Sequence, residues 1–310
     1  MQTISRARGF ARFAWGVLAF NVAVVLWGAY VRATGSGAGC GQHWPLCNGD
    51  ILPVAPTLKT IIEFTHRFTS GIDLALVGLL VVWAFRAFPR KHPVRLGVVL
   101  SATFLMTEAL IGAALVLLQH VAKDQSAAHG YWLCLHLVNT LTLLACLTLT
   151  AWWAMDNPGV RLAGRPAWMA AGSLAMVMIL GVSGAIAAFG DTLFPVRSLA
   201  EAFAQDFDPA ASILVRLRVL HPVIAGVAGV WLVLYGVSIA GRRPDLRPRA
   251  WLLLGLVGAQ LAAGATNLLL RAPVWMQMVH LLLADALWIS LVILCAGVLK
   301  SDEVLADKKA

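Results

Sequence analysis

Four histidines, His66, His136, His221 and His280, each stand a few residues inside one end of a strongly apolar segment; those segments are the second, fourth, sixth and eighth of eight. A neutral imidazole in hydrocarbon is costly without a partner, so a histidine there points to function. Taken singly, each is equally an interior residue hydrogen-bonding a neighbouring helix. Four at matched positions are what holding two haems by bis-histidine ligation requires. Beside the first of them, Glu63, His66 and Arg67 share one turn, and Glu63 and His66 stand at i, i+3 with Cβ atoms roughly 5–6 Å apart. A carboxylate there can act as a base toward water or steady a developing cation. The plainer alternative is a Glu63–Arg67 ion pair at the membrane surface. Arg67 follows the first histidine, and Arg216 and Arg218 precede the third. Guanidinium groups match carboxylates bidentately, so these arginines are candidates for haem propionates, or for snorkelling to the interface. His129, seven residues before His136 and on the same face, is the rival ligand. His43 and His92 fall in loops, and His120 ends the third segment. Glu108 and Asp285 are deeper carboxyls, candidates for helix packing or proton transfer.

The elements that must position these residues follow from composition. The 310-residue chain is 60% hydrophobic and only 13% charged, with a mean hydropathy of +0.79. Apolar runs at 10–31, 61–85, 96–118, 130–153, 167–189, 213–240, 250–270 and 274–299 are each about long enough to cross a ~30 Å hydrocarbon layer. They lack period-2 alternation, so helices satisfy their backbones. The expected fold is an all-α, multi-pass membrane protein with eight transmembrane helices. The run from Phe10 to Val31 is longer than a signal-peptide core and no clean small-x-small cleavage site follows, so it reads as an uncleaved first span. Without a long Arg/Ser-rich, acid-poor presequence, a bacterial cytoplasmic membrane is expected rather than an organelle. The net charge of +9 would suggest a polyanion partner in a soluble protein. Here sixteen of the 24 basic residues, among them Arg8, Arg12, Arg90, Lys91, Arg165, Arg243, Lys308 and Lys309, fall on the side of the N-terminus. That is the positive-inside pattern, with both termini cytoplasmic, membrane lipid around the chain and no nucleic-acid partner. The four histidines then lie ~8–12 Å below the outer boundary. Two haems would sit side by side in one leaflet, whereas a transmembrane electron wire stacks them at different depths.

The chain also looks duplicated. Glu108 and Gly112 match Gln260 and Gly264 at an offset of 152; His66 and His221 differ by 155, and His136 and His280 by 144. Repeats an even number of spans apart share orientation, giving two parallel-repeat four-helix bundles, residues 1–155 and 156–310. Met155–Ala167, with Pro158, Gly159 and Pro166, is the boundary. The outer loop from Gly190 to Ser212 carries Asp191, Glu201, Asp206 and Asp208, and Leu199–Phe207 within it reads as a short interfacial helix. In the first outer loop, Cys40 and Cys47 have the compartment for a disulfide, the alternatives being two free thiols or half of a metal site. Cys134, Cys146 and Cys295 fall inside spans as small buried hydrophobes.

Glu63-Phe-Thr-His66-Arg67, the preceding Gly35-to-Gly49 loop with Cys40, Trp44-Pro-Leu-Cys47 and Asn48, and then His136, His221-Pro222 and His280 together resemble the heme A synthase family over nearly the whole chain. The resemblance implies oxidation of a ring methyl of haem o to a formyl group, giving haem a for terminal oxidases. It implies that His66 and His136 hold haem o, that His221 and His280 hold a haem b cofactor, and that Glu63 is the catalytic carboxylate. It implies a Cys40–Cys47 disulfide over the substrate site. Some relatives carry a second cysteine pair in the later half; this chain lacks it, so that loop must be fixed otherwise. The partners implied are haem o and haem a, with heme O synthase and cytochrome oxidase assembly factors beside them and homo-oligomer formation left open. Two other classes compete: a dihaem b-type electron carrier of the quinone-linked cytochrome b kind, and a haem-delivery protein with an exchangeable site.

Overall fold

The computed structural model describes residues 2–121 and 124–300. Lys308 and Lys309 lie outside the described residues. Among those described, eight helices are long and apolar enough to cross a membrane, and the chain is an all-α, multi-pass membrane protein. The first four are α1 (Gln2–Ala33), α2 (Leu58–Ala87), α3 (Pro93–Leu117) and α4 (Ala127–Trp153). After α5 (Gly164–Leu193) comes the short α6 (Leu199–Phe207), the interfacial segment expected from the sequence. Then α7 (Ile213–Arg216), a 3-10 turn (Leu217–Val219) and α8 (Leu220–Arg242) continue as one span, followed by α9 (Arg247–Leu269) and α10 (Val274–Val298).

Local chemistry starts and stops these rods. The hydroxyls of Thr57 and Ser126 accept from the backbone N–H groups of Thr60 and His129, capping α2 and α4. His92 caps α3, with Pro93 at the first helical position, where its missing donor costs nothing. Gln119 and Arg271 leave α3 and α9 with positive φ (60° and 63°), and their N–H groups turn back to Val116 and Leu268 carbonyls. Between α3 and α4, Asp124 joins His120 Nδ1 (2.8 Å) to Ser126. Partial burial raises the Asp124 carboxyl, but hydrogen bonds from His120 and Ser126 outweigh it and leave the group lowered to about 2.

The spans close into two rings of four. In the first, α1 and α3 each pack on both α2 and α4, so α2 and α4 face each other across the diagonal. In the second, α5 and α9 each pack on both α8 and α10, and α8 faces α10. The rings meet through α4 on α10, with α1 also on α10 and α4 on α5. The Trp288 indole donates to the Leu141 carbonyl at 2.7 Å across that seam. Arg32, at the end of α1, reaches over it to Ala188 O, Thr192 Oγ1 and Gln277 Oε1 at 2.9–3.1 Å. The four histidines stand on the diagonal helices of each ring: His66 and His221 eight residues past Leu58 and Ile213, His136 nine past Ala127, His280 six past Val274. Each histidine thus stands six to nine residues from the start of its span.

Candidate functional site

The second ring holds the clearest pair. The His221 and His280 rings lie 6.4 Å apart, centroid to centroid, at 85°. Metal–imidazole bonds of about 2.0–2.1 Å to each ring would space two centroids by roughly that amount. Tautomers follow from the partners. Ser183 donates its only proton to the Leu180 carbonyl (2.8 Å), so it accepts from His221 Nδ1–H at 3.0 Å and leaves the Nε2 lone pair free. The Gln260 amide donates to His280 Nε2 at 3.3 Å, so that nitrogen also carries a lone pair, and the buried Nδ1 has no partner. Two adjacent imidazoles that each carry an Nε2 lone pair are the donor set that a bis-histidine haem iron needs. These residues fit a haem.

In the first ring, His66 and His136 come from the facing helices α2 and α4, and each has a buried Nδ1 without a hydrogen-bond partner. Glu108 Oε1 on α3 approaches His136 Nδ1 at 3.3 Å, short of hydrogen-bond alignment. This assigns Glu108, whose role the sequence left open, to the neighbourhood of a candidate ligand. His129, the sequence-level rival, is engaged elsewhere: its Nδ1 meets the Asp124 carbonyl at 2.8 Å and its ring lies edge-on to Phe189 at 4.3 Å.

Glycines let three of the rings sit against a neighbouring helix, a signal that sequence reading missed. A Cβ on Gly28 would stand 2.9 Å from His66 Cε1, one on Gly184 3.0 Å from His221 Cε1, and one on Gly264 3.1 Å from His280 Cε1. Gly28 and Gly184 are 156 apart, close to the 155 between their histidines. Their depth could have given them away. Gly112, matched to Gly264 by sequence, has no such neighbour. Gly28→Ala should push the His66 imidazole off its seat and lower haem occupancy at the first ring by about 10–100-fold, as loss of a ligand's supporting shell commonly does. Haem content of the purified variant checks this; wild-type occupancy would mean the contact does not orient the ring.

Over the first ring lies the Cys40–Cys47 disulfide loop, which settles the alternatives for these cysteines. Glu63, 3% exposed, accepts from the Cys40 backbone N–H at 2.8 Å and pairs with Arg67. Arg67 also donates to the His43 and Leu46 carbonyls (2.5 and 2.7 Å). The ion pair anticipated from the sequence is present, but buried under the loop rather than at the surface. Gly39 fits against the first turn of α2 so closely that a Cβ would come within 2.5 Å of the Lys59 carbonyl oxygen. Thr60 Oγ1 donates to the Gly39 carbonyl at 2.9 Å.

Arg218, read from the sequence as a candidate for a haem propionate or for snorkelling, stands 155 residues after Glu63, and its guanidinium pairs with Asp191 (3.1 Å) and Asp206 (2.8 Å). With its side chain 7% exposed, it takes the place of a second cysteine pair as the tie that fixes the α5–α7 loop. Three residues before the α2 histidine there is thus a carboxylate, and three before its α8 counterpart a guanidinium.

Comparison with known families matches residues 11–292 to COX15-CtaA, cytochrome oxidase assembly proteins. The chain belongs to this, the heme A synthase family. Similar proteins include two from separate strains of Thermus thermophilus, each named protoheme IX farnesyltransferase. Each is 51% identical over 295 residues, 94% of this chain and 48% of the relative. The chain spans about half the length of these relatives. Heme A synthase of Bacillus licheniformis is 47% identical over 93 residues, 30% of each chain. That of Halalkalibacterium halodurans is 40% identical over 95 residues, 31% of this chain and 32% of the relative.

Proposed function

We propose that the chain is a heme A synthase that oxidises a ring methyl of haem o to a formyl group. The observation that carries this is the buried Glu63 carboxylate, one turn from His66, with no carboxylate at the matching place beside His221. The first ring has a carboxylate within one turn of its α2 ligand candidate; the second has a guanidinium, Arg218, at the corresponding place. On this reading the half 1–155 takes haem o between His66 and His136, and the half 156–310 takes haem b between His221 and His280. Bound there, haem b would supply a one-electron redox centre.

The protein's own share is positional. His66 and His136 fix the substrate ring so that a methyl lies toward Glu63. The disulfide loop, tied down by Glu63, Arg67 and Thr60, limits water to what the carboxylate admits. Glu63 would accept a proton from the water that supplies the oxygen, while Arg67 keeps it oriented through their ion pair; the electrons removed from the methyl carbon would pass to an acceptor outside the chain. On this reading, which rests on the positive-inside pattern of the sequence, both termini are cytoplasmic and both sites lie toward the outer side of a bacterial cytoplasmic membrane. The farnesyltransferase name on relatives twice as long supports a heme O synthase as donor of the lipophilic substrate.

Haem extraction from the purified full chain, separated by chromatography, tests the reading. Haem o or haem a alongside haem b supports the synthase. Haem b alone, at two per chain, supports the dihaem carrier instead.

A further inference from the structure

The two rings share a plan but differ in what stands behind their ligands. On α3, Glu108 lies beside His136 Nδ1; at the matching place on α9 stands Gln260, which meets His280 at Nε2 instead, so that His280 Nδ1 has no hydrogen-bond partner. The acid is built in. Asn139 Nδ2 donates to Glu108 Oε2 at 2.5 Å, and Thr140 Oγ1 donates to Oε1. Asn139 is itself held by Thr107 Oγ1 (2.6 Å) and the Phe104 carbonyl (2.8 Å). Both donors follow His136 by three and four residues. At those offsets from His280 the chain has Leu283 and Ala284, which donate nothing from their side chains. Among the described residues, the second pair has only the neutral Ser183 hydroxyl at His221 Nδ1 and no hydrogen-bond partner at His280 Nδ1.

A carboxylate accepting the Nδ1 proton of a metal-bound imidazole makes the ring a stronger donor and favours the more oxidised metal. An amide does not. We infer that Glu108, cradled by Asn139 and Thr140, is a positioning and tuning residue that holds the His136 haem at a lower reduction potential than the haem on His280. The inference rests on the ligation proposed above. It requires His136 to bind iron through Nε2, leaving Nδ1–H with Glu108 as the acceptor at hand. The consequence is a built-in order: the first site yields electrons more readily, and the second takes them.

The experiment is a spectroscopic redox titration of the purified full chain with its bound haems. His136→Gly and His280→Gly identify which signal belongs to which ring. E108Q should raise the first-ring midpoint by at least 59 mV, a tenfold change in a one-electron equilibrium, and leave the second unmoved. E108D, which draws the carboxylate back from Nδ1 by one methylene, should raise the first-ring midpoint part of the way, and stands in should E108Q fail to assemble. Midpoints unmoved in both variants overturn the inference. Retention of both haems by His136→Gly would instead overturn the ligation itself, whatever E108Q does.

Discussion

Replacing Glu63 by glutamine should cut haem a formation by about a hundredfold or more, the usual scale of a lost general base, with haem o still bound. Glutamine keeps an oxygen to accept from the Cys40 N–H, so the loop retains that anchor, but it removes the charge that takes protons and pairs with Arg67. The comparison that separates chemistry from architecture is Thr60→Val, which cuts another of the loop's ties, to the Gly39 carbonyl, and spares the carboxylate. Turnover measured as haem a per haem o supplied should survive in Thr60→Val and collapse in Glu63→Gln. Equal losses in the two would make Glu63 a loop anchor, and undiminished haem a in Glu63→Gln would remove it from the mechanism.

The histidines should fail in pairs. His221→Ala or His280→Ala should each remove haem b and leave binding of haem o in place. His66→Ala or His136→Ala should do the reverse. The reason is the ring geometry: α2 faces α4, and α8 faces α10, so no imidazole of one ring is placed to replace a partner in the other. Chromatographic haem content per chain reads this directly. A crossed pattern, in which His66 and His221 variants lose the same haem, would sink the assignment.

Much of this was legible from the residues alone. Spans are fixed by long apolar runs, a local property, so the eight helices and the depth of the histidines follow from one pass along the chain. Glu63 and Arg67 sit one turn apart, and their pairing is likewise local. What escaped depends on long-range packing. Nothing near Arg218 in sequence announces that Asp191 and Asp206 close on it from 27 and 12 residues away. Gly28 and Gly184 read as ordinary small residues of membrane helices until the imidazoles of neighbouring rods are seen against them. The link from Glu108 to His136 crosses 28 residues and a loop, and a glutamate in a span gives no hint of which rod it will face.

The seam between α4 and α10 gives the molecule a further property. These are the two most buried of the eight spans, and each carries one ligand candidate for a different ring. The two centres are therefore bolted to a common spine, and their spacing is set by side chains such as Trp288 rather than by the tether around Gly159. Such a chain behaves as a dimer that happens to be covalent: lengthening the tether leaves the centres where they are, while thinning the spine moves both together.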